Sequence, residues 1–146
     1  MNAFRFPLQK VLDWRRTQLE LEEVRFRQQS AAMADLDRTR AQLSAAGSTA
    51  ERQVRVWNPV AGGELAALGS FRLHMRLKET QLAVPMAECR KELGRRESVM
   101  LEARRRLRLL ERLRERRLAE WCEERDKELD ALASEAYLAK WKRRQT

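Results

Sequence analysis

Apolar residues recur every seven positions through the second half of the chain, and this spacing restricts the fold more than any other feature. The first row is Leu82, Cys89, Arg96, Ala103 and Leu110, and the row four positions further on is Met86, Leu93, Met100 and Leu107. We call these two rows the seam. Most other residues between 85 and 144 are Arg, Glu, Lys or Asp. Because so narrow an apolar stripe cannot enclose a globular core, it predicts a helix paired lengthwise with a second helix.

The seven-residue spacing changes phase after Leu110. The apolar residues that follow are Leu113, Leu118, Trp121, Cys122, Leu129, Leu132 and Ala136. A shift of this kind resembles the four-residue insertions, called stutters, that interrupt coiled coils. We therefore expect the helix to continue past residue 110 with its apolar stripe displaced.

The partner helix is predicted in the first half of the chain. Proline is tolerated in the first turn of a helix, so a helix is expected to start near Pro7. One row of residues seven apart is Leu12, Leu19, Phe26 and Met33, and the complementary row contains Leu8, Arg15, Glu22, Gln29, Leu36 and Leu43. Three polar residues thus interrupt the second row. Trp14 lies off these rows and is expected either to widen the apolar face or to form an exposed patch.

A turn is predicted between the two helices at about residues 57–63, where Asn58, Pro59, Gly62 and Gly63 cluster. The expected fold is all-α: one long antiparallel two-helix coiled-coil hairpin spanning 1–146, with arms at about 7–56 and 64–143. Pro85 removes one helical hydrogen bond, so we expect a kink near it. Gly47 precedes a capping box, which leaves open a break there and a partly separate tip at 48–84.

The arms of such a hairpin differ in length. At about 1.5 Å per residue the first arm spans roughly 75 Å and the second roughly 120 Å. If they pair from a turn near residue 60, Leu8 lies opposite the region around Leu113, and about thirty C-terminal residues overhang. The apolar residues of this overhang then lack partners within the chain, which implies an external partner.

The charge of the chain is uneven. Charged residues are 36% and the net charge is +9, and residues 90–117 hold 12 Arg or Lys against 5 Asp or Glu. One interpretation is a solvated helix face with Arg–Glu pairs. The other is a positive stripe for an acidic partner or nucleic acid. Specific reading of bases is disfavoured because the basic block lacks Asn and itself carries the seam.

No pattern of catalytic, cofactor-binding or metal-binding residues emerges. The chain has one histidine, His74, and no CxxC pair or phosphate-binding glycine loop. Cys89 and Cys122 would lie roughly 50 Å apart on one straight helix, beyond disulfide reach. The expected protein is therefore a cytoplasmic, non-enzymatic helical protein without cofactor or metal, and without a signal peptide or membrane span.

Three segments resemble the flagellar export protein FliJ family. Residues 4–12 read FRFPLQKVL and are followed by Arg15, Arg16 and Glu20, which is similar to the start of that family. Residues 110–116, LERLRER, look like its "LExLxER" stretch, and residues 127–133, KELDALA, resemble its "k-x-LDE-x-A" close. The chain departs from that close at Ala131, where the family usually has Glu. The resemblance covers the whole chain in length and order.

The resemblance implies a stalk-like part of the flagellar type III export apparatus, needed for motility and held at the cytoplasmic face of the inner membrane through the basal body. Family members dock into the hexameric export ATPase FliI, promote its assembly and contact the export gate protein FlhA. Export chaperones are a further candidate partner, and nucleic acid is not expected. By analogy with the stalks of rotary ATPases, the end bearing both termini would enter the ring.

The implied contact residues fall into two groups. The ATPase contact is expected on Phe4, Phe6, Trp14, Leu129, Leu132, Ala136, Lys140, Trp141, Lys142, Arg143 and Arg144. The export-gate contact is expected on Trp57, Phe71, Met75 and Leu82. The alternative function is a generic coiled-coil scaffold or nucleic-acid-associated protein that binds through the basic stretch 90–117.

Overall fold

The computed structural model describes residues 2–56 and 62–145, and two long helices contain almost all of them. Helix α1 runs over Gln9–Val56 and helix α2 over Gly62–Gln145. The helices pack against each other, and no strand occurs among the described residues. The predicted all-α class and two-helix hairpin are therefore confirmed.

Helix α1 begins two residues after the predicted start. Residues 2–6 are non-helical, and a turn at Pro7 and Leu8 leads into the helix. The Gln9 N–H donates to the Phe6 carbonyl oxygen, with 3.1 Å between nitrogen and oxygen. The Leu12 N–H donates to the Leu8 carbonyl oxygen at 2.9 Å. Because proline lacks an N–H, placing it just before the first helical residue sacrifices no intrahelical hydrogen bond.

Helix α1 continues without a break through the capping-box sequence that follows Gly47. Of the two alternatives for this segment, a break after Gly47 is therefore wrong, and α1 is helical as far as Val56. Arg72 Nε on α2 lies 3.1 Å from Glu51 Oε1 on α1, so the helices are still paired in this region. Pairing with α2 stabilises the helix through a glycine that would otherwise favour termination.

Helix α2 begins at Gly62 and includes Pro85 within an unbroken helical segment. The missing proline N–H removes one hydrogen bond, but the many others on either side maintain the helix. The expected kink stays a prediction. Trp57, Asn58 and Pro59, on which the predicted turn depended, lie outside the described residues, whereas Gly62 and Gly63 belong to α2.

The chain divides into two compact units, one formed by residues 1–19 and 102–146 and the other by residues 20–101. In the first, Arg114 Nε donates to Gln9 Oε1 at 3.1 Å, and Arg16 lies 4.0 Å from Glu111. The later residue of α1, Arg16, thus contacts the earlier residue of α2, Glu111. The helices in this unit are therefore antiparallel.

The second unit has the same antiparallel arrangement. Gln29 on α1 contacts Cys89 on α2, and Glu51 further along α1 contacts Arg72, which precedes Cys89. Residues later in α1 again contact residues earlier in α2, so the two helices of this unit are also antiparallel.

The core of each unit lies along the predicted seam. In the first, Phe6, Leu12 and Leu107 are buried, with Leu12 only 1% exposed. Other apolar side chains pack around them: Phe4, Leu19, Leu110 and Leu113. In the second, the buried apolar residues are Met33, Met86 and Met100. The heptad spacing thus identified the helix faces that pair.

The phase change after Leu110 is also confirmed. An unchanged heptad would place Arg117 and Glu124 on the seam, yet both are exposed. Leu118 and Cys122 are half-buried instead. A stutter therefore keeps the apolar stripe of α2 directed toward the N-terminal part of the chain.

Candidate functional site

The last twenty described residues of α2 have no cover within their unit. Every residue from 126 to 145 is exposed, whereas Trp121, Cys122 and Arg125 are still half-buried. We call residues 126–145 the tail. Its large apolar side chains are all substantially exposed: Leu129, Leu132, Tyr137, Leu138 and Trp141. The predicted overhang is thus present, although it is shorter than the expected thirty or so residues.

The apolar residues of the tail lie on two opposite sides of the helix. Leu129, Leu132 and Ala136 continue the stripe of Leu118 and Cys122 at three- and four-residue steps. Trp141 follows Leu132 by nine residues, a rotation of about 180° at 3.6 residues per turn.

Tyr137 and Leu138 also point away from the Leu132 side, since they lie about 140° and about 120° from Leu132 around the helix axis. The exposed apolar residues of the tail therefore do not form one row. Heptad spacing follows a single stripe, so it does not show where the residues between its positions lie.

The basic residues of the tail are concentrated in its final turn. Lys142, Arg143 and Arg144 end the helix, with Lys140 just before them. The partial negative charge of the helix C-terminus favours cations at this position. These basic residues can therefore stabilise the helix even when no partner is bound. Lys142 and Arg143 each interact with another group of the chain. The end of the tail therefore combines an exposed tryptophan with positive charge.

The N-terminal phenylalanines lie against α2. Phe6 is 8% exposed, and Phe4 is half-buried with its ring centroid 6.0 Å from that of Trp121. Arg114 lies over the Phe4 ring at 5.9 Å, and Arg125 over the Trp121 ring at 5.1 Å. Both phenylalanines, expected as partner contacts, thus contribute to the core of their own unit, which favours a structural role for Phe6.

Trp14, also expected at the ATPase contact, is 52% exposed on α1. The Arg15 guanidinium stacks on its ring at 4.7 Å from the centroid. The arginine covers part of the apolar ring while leaving the rest accessible. Trp14 is therefore available to a partner in a way that Phe6 is not.

Three of the four residues expected at the export-gate contact, Phe71, Met75 and Leu82, are half-buried and lie on one side of α2. Phe71 and Met75 are half-buried and line a groove beside Gly47 and Glu51. Leu82 lines a different groove, with Arg40, Ser44, Glu79, Ala83, Met86 and Arg90. Trp57 lies outside the described residues. Glu79 lines both grooves, so the two adjoin, and the assignment of Phe71, Met75 and Leu82 to a gate contact stays a prediction.

Two polar features of the interface were not predicted. Glu22 is 8% exposed, although it was recognised only as an interruption of an apolar row. Gln29 Nε2 on α1 lies 3.3 Å from the Cys89 carbonyl oxygen and 3.2 Å from its Sγ. Both residues belong to the row that contains Leu8, Leu36 and Leu43. Because this row faces α2, its polar members could have been predicted to be buried or to contact α2.

One carboxylate at the surface of α2, that of the half-buried Glu92, has a perturbed pKa. Arg95 donates to both oxygens of Glu92, at 2.6 and 3.0 Å, and Arg96 Nε donates at 3.1 Å. The hydrogen bond from Arg95 lowers the pKa of Glu92, and the Arg95 and Arg96 charges add to this effect. In return the bond raises the pKa of Arg95. These groups form a surface ion-pair cluster within one helix, which is a structural arrangement.

Within residues 2–56 and 62–145, no group of three His, Cys, Asp or Glu side chains is placed to hold a metal ion. None of the described helical segments has the length and apolar character needed to cross a bilayer. Comparison of the chain with known protein families, with curated proteins and with solved structures found no match. The proposals below therefore depend on the geometry described above and on the sequence resemblance.

Proposed function

We propose that this chain is a non-enzymatic, stalk-like component of the flagellar type III export apparatus. In this proposal the tail binds the hexameric export ATPase FliI and stimulates it, and Phe71, Met75 and Leu82 contact the gate protein FlhA. The protein acts in the cytoplasm and reaches the membrane face only through these partners. The resemblance of residues 4–12, 110–116 and 127–133 to the FliJ family supports this proposal.

The observation that carries the proposal is the uncovered tail with apolar residues on opposite sides. Leu132 is 59% exposed and Trp141 is 50% exposed, about 180° apart around the helix axis. A helix with apolar residues on all sides is typically enclosed by other protein. A partner that binds along one side would cover only one of these residues.

A ring that surrounds the helix covers both sides at once. In a hexamer, different subunits would contact the Leu129 and Leu132 side and the Tyr137 and Trp141 side. The basic final turn then meets acidic groups of the ring, and this attraction increases the rate of association more than the final affinity. The tail thus supports insertion into an annular partner better than docking in an open groove.

The experiment compares two single substitutions in the full chain. Leu132→Glu places a charge on one side of the tail, and Trp141→Ala removes the aromatic anchor from the other. We expect each to reduce stimulation of the ATPase hexamer by about tenfold or more, as for central contacts of protein interfaces. Val84→Glu, at a position that is 62% exposed on α2 outside the tail, is the matched control and should leave stimulation unchanged.

The single variants separate three outcomes. Loss in both supports a surrounding partner, whereas loss in only one contradicts the annular geometry. Unchanged stimulation in both overturns the assignment of the tail as the ATPase contact. Circular dichroism of each variant checks that helicity is retained, which we expect because both side chains are exposed.

A further inference from the structure

Four arginines form a continuous row along α2, on the side opposite the seam. Arg105, Arg108, Arg112 and Arg116 are all exposed and are separated by three or four residues. Arg112 and Arg116 follow the seam residues Ala103 and Leu107 by nine positions each, a rotation of about 180°. We call these four residues the arginine ridge. It lies away from both α1 and the tail residues of the proposed ATPase contact.

The four arginines of the ridge are not neutralised by ion pairs in the described part of the chain. Two carboxylates close to the ridge are paired with other arginines, Glu102 with Arg106 at 3.1 Å and Glu111 with Arg16 at 4.0 Å. Among the described residues, Glu115 at its edge forms no ion pair with it. Like charges three or four residues apart destabilise a helix. An anionic partner would relieve this repulsion.

An exposed leucine of the same unit lies on this face. Leu109 is 55% exposed and lies about 40° around the helix axis from Arg105. Arg105, Arg108, Arg112 and Arg116 follow one another at steps of three, four and four, the spacing at which a helix meets a second helix laid along it. The ridge therefore combines positive charge with an exposed apolar side chain at coiled-coil spacing.

The edges of the ridge distinguish between kinds of anionic partner. Glu102 lies about 70° from the centre of the ridge on one side, and Glu115 about 70° on the other. A lipid surface or a nucleic-acid duplex is broad enough to meet both edges, where the charge of Glu115 repels it and the Glu102–Arg106 ion pair offers little net attraction. A single helix is narrow, so its central carboxylates can reach the arginines while basic residues on its own edges face Glu102 and Glu115.

We propose that the arginine ridge is a docking surface for an acidic α-helix of a protein partner. The partner helix carries Asp or Glu at three- and four-residue steps with at least one apolar residue among them. This surface is separate from the tail, so it provides a second contact whose failure does not affect the proposed ATPase function.

The test uses a synthetic helical peptide of about five turns, with glutamates at three- and four-residue steps, one central leucine and lysines at its edges. Binding to the fluorescently labelled peptide is measured by anisotropy with the full chain. We expect saturable binding that weakens as salt is added, because exposed charges are screened. A peptide of identical composition with scrambled order should bind at least about tenfold more weakly, since its carboxylates no longer share one face.

Charge reversal locates the site. Arg108→Glu with Arg112→Glu should reduce peptide affinity by at least about tenfold. Arg40→Glu with Arg55→Glu is the control, because it makes the same change in net charge at exposed residues of α1. Equal losses in the two double variants would show only general electrostatic attraction and would overturn the proposal.

Parallel measurements use vesicles of anionic phospholipid and a short DNA duplex. Binding of either that exceeds peptide binding and is lost in the ridge variant would assign the surface to that ligand instead. Equal binding of ordered and scrambled peptides would also contradict the proposal. Stimulation of the ATPase by the ridge variant should remain unchanged, which separates this result from a failure of the proposed function.

Discussion

Arg25 Nη1 lies 3.0 Å from one carboxylate oxygen of Glu22, while the other Glu22 oxygen is buried without a hydrogen-bond partner among the described residues. Glu22 thus occupies a position between helices that suits an apolar side chain. Burial of an unsatisfied carboxylate oxygen costs stability, because the oxygen loses water without gaining another donor.

Replacement of this carboxylate should stabilise the protein. We expect Glu22→Leu to raise the free energy of unfolding by about 1 kcal/mol, because the leucine removes the unsatisfied oxygen and fits the apolar row, while Arg25, whose side chain is 45% exposed, stays in contact with water. Urea denaturation followed by circular dichroism measures the change. Glu20→Leu, at an exposed position of the same helix, is the control and should have little effect. A destabilised Glu22→Leu variant would show that the buried charge is needed for pairing.

The buried leucine near the start of α1 should dominate the stability of its unit. Leu12→Ala removes a side chain that is 1% exposed and packs with Phe6 and Leu107, so we expect a loss of about 3 kcal/mol. Leu138→Ala, at a position that is 55% exposed, should change stability by less than about 0.5 kcal/mol. Similar losses in both variants would contradict the difference in burial.

The two ends of the first unit should respond differently to truncation. Removal of residues 126–146 deletes the exposed tail, so the melting temperature of the remaining chain should change little. Removal of residues 1–8 deletes buried Phe6, and we expect a loss of about 3 kcal/mol or more. Thermal unfolding of both truncated chains compares these effects. A large drop on removing the tail would mean that it packs on its own chain in solution.

Stability should fall at acidic pH in part through Glu92. Its pKa is lowered in the folded chain, chiefly by the hydrogen bond from Arg95. This contribution is fully present above the unfolded pKa of about 4.3 and is lost as the pH falls through the lowered folded value. Glu92→Gln should therefore reduce the melting temperature slightly near neutral pH and show a shallower decrease below about pH 4.

Glu79→Gln serves as the control for this pH series, because Glu79 is exposed on the same helix and has no ion pair among the described contacts. Its melting temperature should follow the parent chain at every pH. If the Glu92 variant also does so, the ion pair with Arg95 makes no measurable contribution, as is common for exposed pairs.

The heptad spacing was sufficient to predict which helix faces pair, because a residue such as Met86 or Met100 can leave water only on the side that meets another helix. The same argument predicted the stutter after Leu110. Local signals were less informative. The capping box after Gly47 resembles a helix start, yet α1 continues, because packing along a whole face outweighs the weak preference of a few residues.

The site was predicted less completely than the fold. The uncovered tail followed from comparing arm lengths, but the opposite placement of Leu132 and Trp141 requires the rotation of every residue about the axis. The burial of Phe6 was not foreseen, because residues 2–6 lie outside any helical period. Its contacts depend on how a short non-helical segment folds back onto α2, which no repeat encodes.

The seam also limits how related chains can differ in length. Insertion of one residue into α2 beside Leu107 would rotate all later side chains by about 100°, turning Leu110 and Leu113 toward water. Insertion of seven residues would restore the same face, and eleven would do so with a slight change of twist. Natural variants of this chain should therefore gain or lose residues in these whole steps within the helices, with single-residue changes confined to their ends.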